Sequence, residues 1–573
     1  MAQVSDTVLK SYFEGEDVPT EEQFASLIDS KTNIADLAST ASGYGSDLVA
    51  NTVRVANVLS YGAVGNGATD DTAAINAAIT ALESTGGGIL YFPAGNYLTD
   101  GIELSGPNRI SIIGENSGVY HHSAAEINNT TDVARITHNT GSSGTLIEYT
   151  APDDTTANAA GPIRIENLLL ATSATTDLGL MLQYVTKGFI VRNVYIGVHE
   201  DATDCDGMEV LDSWNGSIEN VQLYHGAENG AQGTSSTGIG LFVHNIEDDS
   251  LGGAINQLKI ENVNTRYFGT GQKFGDTNAA GAKSHNMNGI TVLGGTDEYS
   301  EGWGIWVGSG VQSLTIIEHH VENADQGATG TGGLFIGYAA TGVKVLGGKY
   351  HNNTTTDGSS DVYLAGTGGG ASNVILEGMY FGNTGTHSGS ASIRVDTGVT
   401  LRNISLRNLT FAPTTDGVGT GILLGSIVEY LEISGLDWAF NGNDFATRIS
   451  GAASASFPKY DKFPLAVTAS RSIATTEVNR TFTNTGAAGT VLLTLPAAAV
   501  ADGTPPLRFR FVKLADQTFG VVPAAGDQID NGTAATSLRN NTGGELAAYL
   551  EIEAVDATNW IITGIRGTWT EVP

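Results

Sequence analysis

Three acidic clusters hold the side chains best suited to chemistry: HEDATDCDGMEV at 199–210, HNIEDDS at 244–250 and GGTDEYSEGWG at 294–304. Cleavage of an acetal bond between sugars needs one protonated and one ionised carboxyl group, about 5 to 9.5 Å apart. Asp206 with either Asp248 or Asp249 is the expected working pair, and Glu209 and Asp204 are further candidates from the first cluster. Converging like charges would raise one of the pKa values and so supply the acid. A second chemistry, proton abstraction beside a sugar carboxylate, needs a Tyr or His base next to Arg or Lys. The run TRYFGTGQKFGDTNAAGAKSH at 265–285 offers Arg266, Tyr267, Lys273, Lys283 and His285 for it, as an insertion between regular units. Tyr267, Tyr299 and Trp303 are placed to flank a bound chain of sugars. No metal or cofactor is expected. A single cysteine, Cys205, rules out a multi-cysteine zinc site and reads as an ordinary small apolar residue. Calcium is the one alternative the acids leave open, although Asp201, Asp204 and Asp206 miss the EF-hand spacing and its closing Glu. The cluster Gly65-Asn66-Gly67 lacks the strand-to-helix pattern of a phosphate loop.

The elements that must position these groups form a repeat array. Short alternating runs recur as IRIENLLL at 163–170, FIVRNVYI at 189–196, GSIENVQL at 216–223, QLKIENVN at 257–264, NVILEGMYF at 373–381, NISLRNLTF at 403–411 and EYLEISGLDW at 429–438. Aligned on the pause within each run, the array reads Asn167, Asn193, Asn220, Asn262, His319, Gly348, Gly378, Asn408 and Gly435. The step of 57 after Asn262 predicts a concealed unit around GITVLGG at 289–295. A second strand precedes each pause, and such short strands bury a core only by stacking turn on turn. The expected fold class is therefore all-β, a parallel β-helix. Asn suits the bend, since it tolerates left-handed backbone and its amide can bond to the next turn about 4.8 Å away. If Leu180, Met208, Leu241, Ile305, Leu334, Val362, Ile393 and Ile422 point inward, their neighbours Met181, Glu209, Phe242, Trp306, Phe335, Tyr363, Arg394 and Leu423 point outward. That aromatic column, with Trp306 at its middle, is expected to form a subunit contact, with sugar stacking as the alternative.

Three regions follow along the 573 residues: a short helical leader at 1–53, the β-helix with a capping helix from about Asp70 to Ser84 at 54–460, and an antiparallel β-sandwich at 461–573 that clamps subunits or binds carbohydrate. A formal net charge of −34 argues against nucleic-acid binding, which rests on basic groups neutralising phosphates. No apolar run is long enough for a membrane span, and MAQVSDTVLK lacks the charged-then-apolar pattern of a signal peptide.

The run SYGAVGNGATDDTAAINAAI followed by GGGILYFPAGNYL resembles the opening segment of the pectate-lyase-like β-helix superfamily, frequent in phage tailspikes and tail-associated depolymerases. SYFEGEDVPTEEQFASLIDSK resembles a short leader of phage tail proteins. The resemblance implies a right-handed parallel β-helix and a homotrimer in the virion tail. Its leader would meet a tail or baseplate protein, and its ligand would be a bacterial capsular, exo- or O-antigen polysaccharide. Within it, Cys205-Asp206-Gly207-Met208-Glu209 is similar to the Asp-Gly-x-Asp element of β-helix polygalacturonases, with Asp248-Asp249 in place of their following Asp pair. Glu209 stands where that element has its second Asp, and no Gly-His-Gly or Arg-Ile-Lys element is found. The scaffold alone does not choose between hydrolase, lyase and non-catalytic binder.

Overall fold

The computed structural model describes residues 54–572 apart from 106–108, 117–131, 152–160, 227–236, 246–253, 277–286, 325–330, 355–357, 367–369, 385–388, 397–400, 414–418, 426–427, 439–446, 452–460, 478–479, 499–506 and 531–535. The leader at 1–53 lies outside the described residues.

Period-2 alternation with one apolar face builds stacked parallel strands. Among the described residues, a 21-stranded sheet and a 12-stranded sheet wrap one continuous core. Register is kept from turn to turn: Phe189 pairs with Ile163 on one side and Gly216 on the other. In the smaller sheet the strands Thr176–Gln183, Asp206–Leu211, Ile239–His244, Thr270–Phe274, Trp303–Val307, Gly332–Ile336 and Ser360–Leu364 follow in order. Their inward column of Leu180, Met208, Leu241, Ile305, Leu334 and Val362 is fully buried, as the alternation predicts. The helix Thr72–Glu83 buries Ile75, Ala78, Ile79 and Leu82 against the first turns of the same core.

The bends explain the recurring Asn. Asn167, Asn193, Asn220 and Asn262 have φ between 52 and 59°. The last three amides each donate to the Asn one turn earlier, at 3.1 Å for Asn193, 3.4 Å for Asn220 and 2.9 Å for Asn262. The concealed unit exists, with its bend at Gly294. Two pause positions shift by one: the left-handed residue is Glu318 rather than His319, and the first is Gly347 where Gly348 was expected. The reason is visible at His319, whose ring points into the core and must therefore follow the bend.

The run at 265–285 is not wholly an insertion. Arg266 ends the strand Lys259–Arg266, and Lys273 lies within the strand Thr270–Phe274. Polar Gln272 occupies the inward column where apolar residues stand above and below, which hid this strand from the hydrophobic pattern. It is accommodated by a buried network: His319 Nε2 lies 2.7 Å from Asp297 Oδ2, Gln272 Nε2 lies 3.3 Å from Asp297 Oδ1, and Thr265 donates to the same carboxylate. Buried charge is tolerated when paired and hydrogen-bonded in this way.

The tail packs a six-stranded and a five-stranded sheet on a separate core that includes Phe482, Phe509, Phe511 and Trp560. Its pairing departs from the antiparallel expectation. Successive strands alternate between the two sheets, so same-sheet neighbours run the same way: Asp461–Ala466, Arg480–Thr483 and Arg508–Val512 pair in parallel. Antiparallel pairing begins only with Tyr549–Ala554 and Asn559–Arg566 in one sheet and Ser537–Asn540 in the other.

Candidate active site

The smaller sheet sets the site, because register carries outward side chains from one strand to the next. Glu209, Phe242, Lys273, Trp306, Phe335 and Tyr363 pair in sequence along its outer face. Lys273 was missing from the expected column because its strand was read as an insertion. At one end of the column four groups converge. Nε2 of His244 lies 2.6 Å from Oε1 of Glu209, with both side chains mostly shielded from water. The His244 ring stacks on Phe242 at 3.7 Å between centres and 7° between planes. Lys273 Nζ stands 4.2 Å from the centre of Phe242 and 5.3 Å from that of Trp306. Asp206, at the start of Glu209's own strand, accepts from the Ile239 amide at 2.6 Å.

Burial pushes the Asp206 carboxyl up to about 6, against the Ile239 amide, with the nearby Glu209 charge adding and Lys273 and His244 opposing. Burial likewise lowers the Lys273 ammonium, with Asp276, Asp206 and Glu209 acting the other way. The face therefore holds a carboxylic acid that is half protonated near pH 6, a carboxylate braced by an imidazole, and a partly desolvated cation. Such a set can donate a proton, hold a nucleophile or base, and attract an anionic substituent.

The sequence-derived candidates divide as follows. Asp206 and Glu209 are brought to this site. Asp204 is exposed and accepts from the Thr237 hydroxyl. Asp248 and Asp249 lie outside the described residues. Arg266, Tyr267 and Tyr299 gather as a separate cluster on and beside the larger sheet. Trp303 and Trp306 belong to an aromatic cluster with Phe335, Tyr338 and Tyr363. Within it Trp306 and Phe335 lie parallel, 5.4 Å apart at 2°, and are only 7% and 6% exposed. Neighbouring Gly308 and Gly337 let the rings lie flat, since a Cβ there would meet Trp306 at 2.0 Å and Phe335 at 2.7 Å. The column thus covers much of itself, leaving half-buried Trp303, Tyr338 and Tyr363 toward solvent. Burial raises the Cys205 thiol far above its ordinary range, which suits a packing residue and not a nucleophile. Among the described residues, no three His, Cys, Asp or Glu side chains are placed to hold a metal ion.

His244 and Phe242 were the partners missed as site residues. Phe242 stood in the outward column, and His244, two positions on, shares its face. The signal was alternation, and the acidic run that follows it drew attention instead.

Residues 55–312, less than half of the chain, match a family model described as rhamnogalacturonase A/epimerase, pectate lyase-like. Mannuronan C5-epimerase AlgE3 of Azotobacter vinelandii is 50% identical over 56 residues, which are 10% of this chain and 3% of that protein. Among solved structures, the A-module of the Azotobacter vinelandii mannuronan C-5 epimerase AlgE4 aligns at 15% identity with a TM-score of 0.41, over 70% of this chain and 100% of that one. The Streptococcus pneumoniae surface adhesin PfbA aligns at 15% identity and 0.41, over 69% and 93%. The chain spans only a few per cent of the curated relatives it matches.

Proposed function

We propose that this chain binds a bacterial surface polysaccharide along the outer face of its smaller sheet and cuts it by glycosidic hydrolysis. The carrying observation is Glu209, its carboxylate braced by His244, on the same strand as Asp206, whose carboxyl burial raises to about 6. In this reading Asp206 protonates the leaving oxygen, and Glu209 acts as nucleophile or as base for water. Lys273 holds an acidic substituent of the sugar, and the aromatic rings beyond it support the chain's next units. The match to a pectate-lyase-like model over 55–312 supports a polysaccharide ligand.

Lys273 and His244 also favour a second reading, β-elimination from a uronate. His244 or Glu209 would take the C5 proton while Lys273 neutralises the carboxylate, the C4–O bond would break, and Asp206 would protonate the departing oxygen. The wider proposal is a tailspike-type homotrimer whose residues 1–53 attach it to a phage tail or baseplate, placing the protein in the virion tail. It is supported by the resemblance of that leader and by the aromatic face.

The test is incubation with a panel of capsular and exopolysaccharides, mannuronan and polygalacturonate. New reducing ends without unsaturated uronate support hydrolysis. Unsaturated uronate in step with chain shortening supports elimination. Binding without shortening removes both.

A further inference from the structure

Around the bend from the smaller sheet, Arg266 lies among three tyrosines. Its guanidinium carbon is 5.0 Å from the ring centres of Tyr267 and Tyr299 and 5.6 Å from that of Tyr224. Nη1 donates to the Tyr224 hydroxyl at 2.6 Å. Nε lies 3.4 Å from Glu298 Oε2, yet it is buried and makes no hydrogen bond. Arg266 and Glu298 face each other in register on adjacent turns, each side chain 30% exposed.

The backbone makes this cluster more than a packing staple. Tyr267 and Tyr299 occupy the same bend of successive turns, with φ of 64 and 55°. The next two turns place Asn323 and Asn352 at that bend, with φ of 55 and 57°, and each of the four donates its N–H to the turn after it. Asn is the residue that left-handed backbone tolerates, and a bulky aromatic there is strained. At this bend the two following turns take Asn, whereas these two carry Tyr at a conformational cost, as Tyr184 and Tyr338 do at other left-handed positions. Strain of this kind gathers at ligand clamps.

We infer that Arg266, Glu298, Tyr267 and Tyr299 form a second sugar site, separate from the Asp206–Glu209 face, for one hydroxyl-rich pyranose unit of the same polymer. The tyrosine rings, 5.3 Å apart and inclined at 30°, offer faces for the C–H side of the sugar. The Arg266 and Glu298 side chains set a donor beside an acceptor, which suits neighbouring hydroxyls. The inference rests on the proposal that the chain binds a polysaccharide, not on its cutting one.

The test is affinity electrophoresis of the full chain through gels containing mannuronan, polygalacturonate, dextran or bacterial capsular polysaccharide. The variant is Tyr267→Asn/Tyr299→Asn, compared with wild type. Because Asn suits the bend, the double variant should melt no lower than wild type. It should nevertheless bind the retarding polymer about ten-fold more weakly, the scale expected for two lost aromatic contacts. A double variant retarded like wild type overturns the second site. So does a lower melting temperature with unchanged binding, which marks a structural staple. A wild-type chain retarded by no polymer removes the polysaccharide reading itself along with this site.

Discussion

His244 Nε2 stands 2.6 Å from Glu209 Oε1 although 35 residues separate them in sequence. The parallel register makes the contact: Phe242 pairs directly with Glu209, and His244 is two residues further along the same outward face. Phe242 then fixes the imidazole plane by stacking at 3.7 Å. We predict that His244→Ala lowers the turnover rate by about 100-fold or more, the usual contribution of an acid–base group. Thermal melting should change little, because the ring lies on the outer face and not in the core. A variant with full turnover would remove His244 from the reaction.

Asp206 gives a pH prediction. Its folded-state pKa is raised to about 6, mainly by burial, from an ordinary value of 3.8. Its contribution to stability is thus fully present below the unfolded value and lost as pH rises through about 6. Asp206→Asn removes that loss, so its stability relative to wild type should rise by roughly 2 kcal/mol between pH 4 and pH 8. Activity that needs the protonated acid should fall as pH passes about 6, and the variant should lack that limb. Parallel wild-type and variant denaturation curves at both pH values would contradict the shift.

The buried network around Asp297 predicts a structural effect. Removing Asp297 leaves the buried His319, Gln272 and Thr265 side chains without their shared acceptor, at a cost of about 1–3 kcal/mol for each group left unsatisfied. We expect Asp297→Ala to lower the denaturant midpoint of the solenoid sharply, and Asp297→Leu with His319→Met to recover much of the loss. Equal damage by both would show that the pair itself, and not the cost of the orphaned donors, holds these turns.

Assembly is best tested away from Trp306, because that ring is already 7% exposed and a charge there would damage the subunit. Tyr363, half-buried at the edge of the same cluster, is the better probe. The homotrimer proposal predicts a native mass of three subunits and a looser assembly for Tyr363→Glu. A single-subunit mass for the wild type would contradict it.

The solenoid was legible because alternation recurs from turn to turn with Gly or Asn at most bends, and Asn193, Asn220 and Asn262 both relieve the backbone and bond to their predecessors. Where polar residues enter the core the pattern failed. Gln272 and His319 broke the apolar rhythm, and with it went one strand and the exact place of one bend. At the site, Glu209 and Asp206 could be read from a short motif, whereas His244 joins them only through inter-turn register. The tail's parallel pairs were hidden for a related reason, since strand patterns show which face is apolar but not which sheet a strand joins.

The central claim is that the Asp206–Glu209–His244–Lys273 face performs chemistry on a polysaccharide. Its most direct test compares wild type and Glu209→Gln for shortening of whichever panel polymer the wild type retains, counting new chain ends over time. We predict that wild type shortens the polymer, while the isosteric variant binds it and cuts at least about 100-fold more slowly. A Glu209→Gln variant that cuts as fast as wild type would contradict the account.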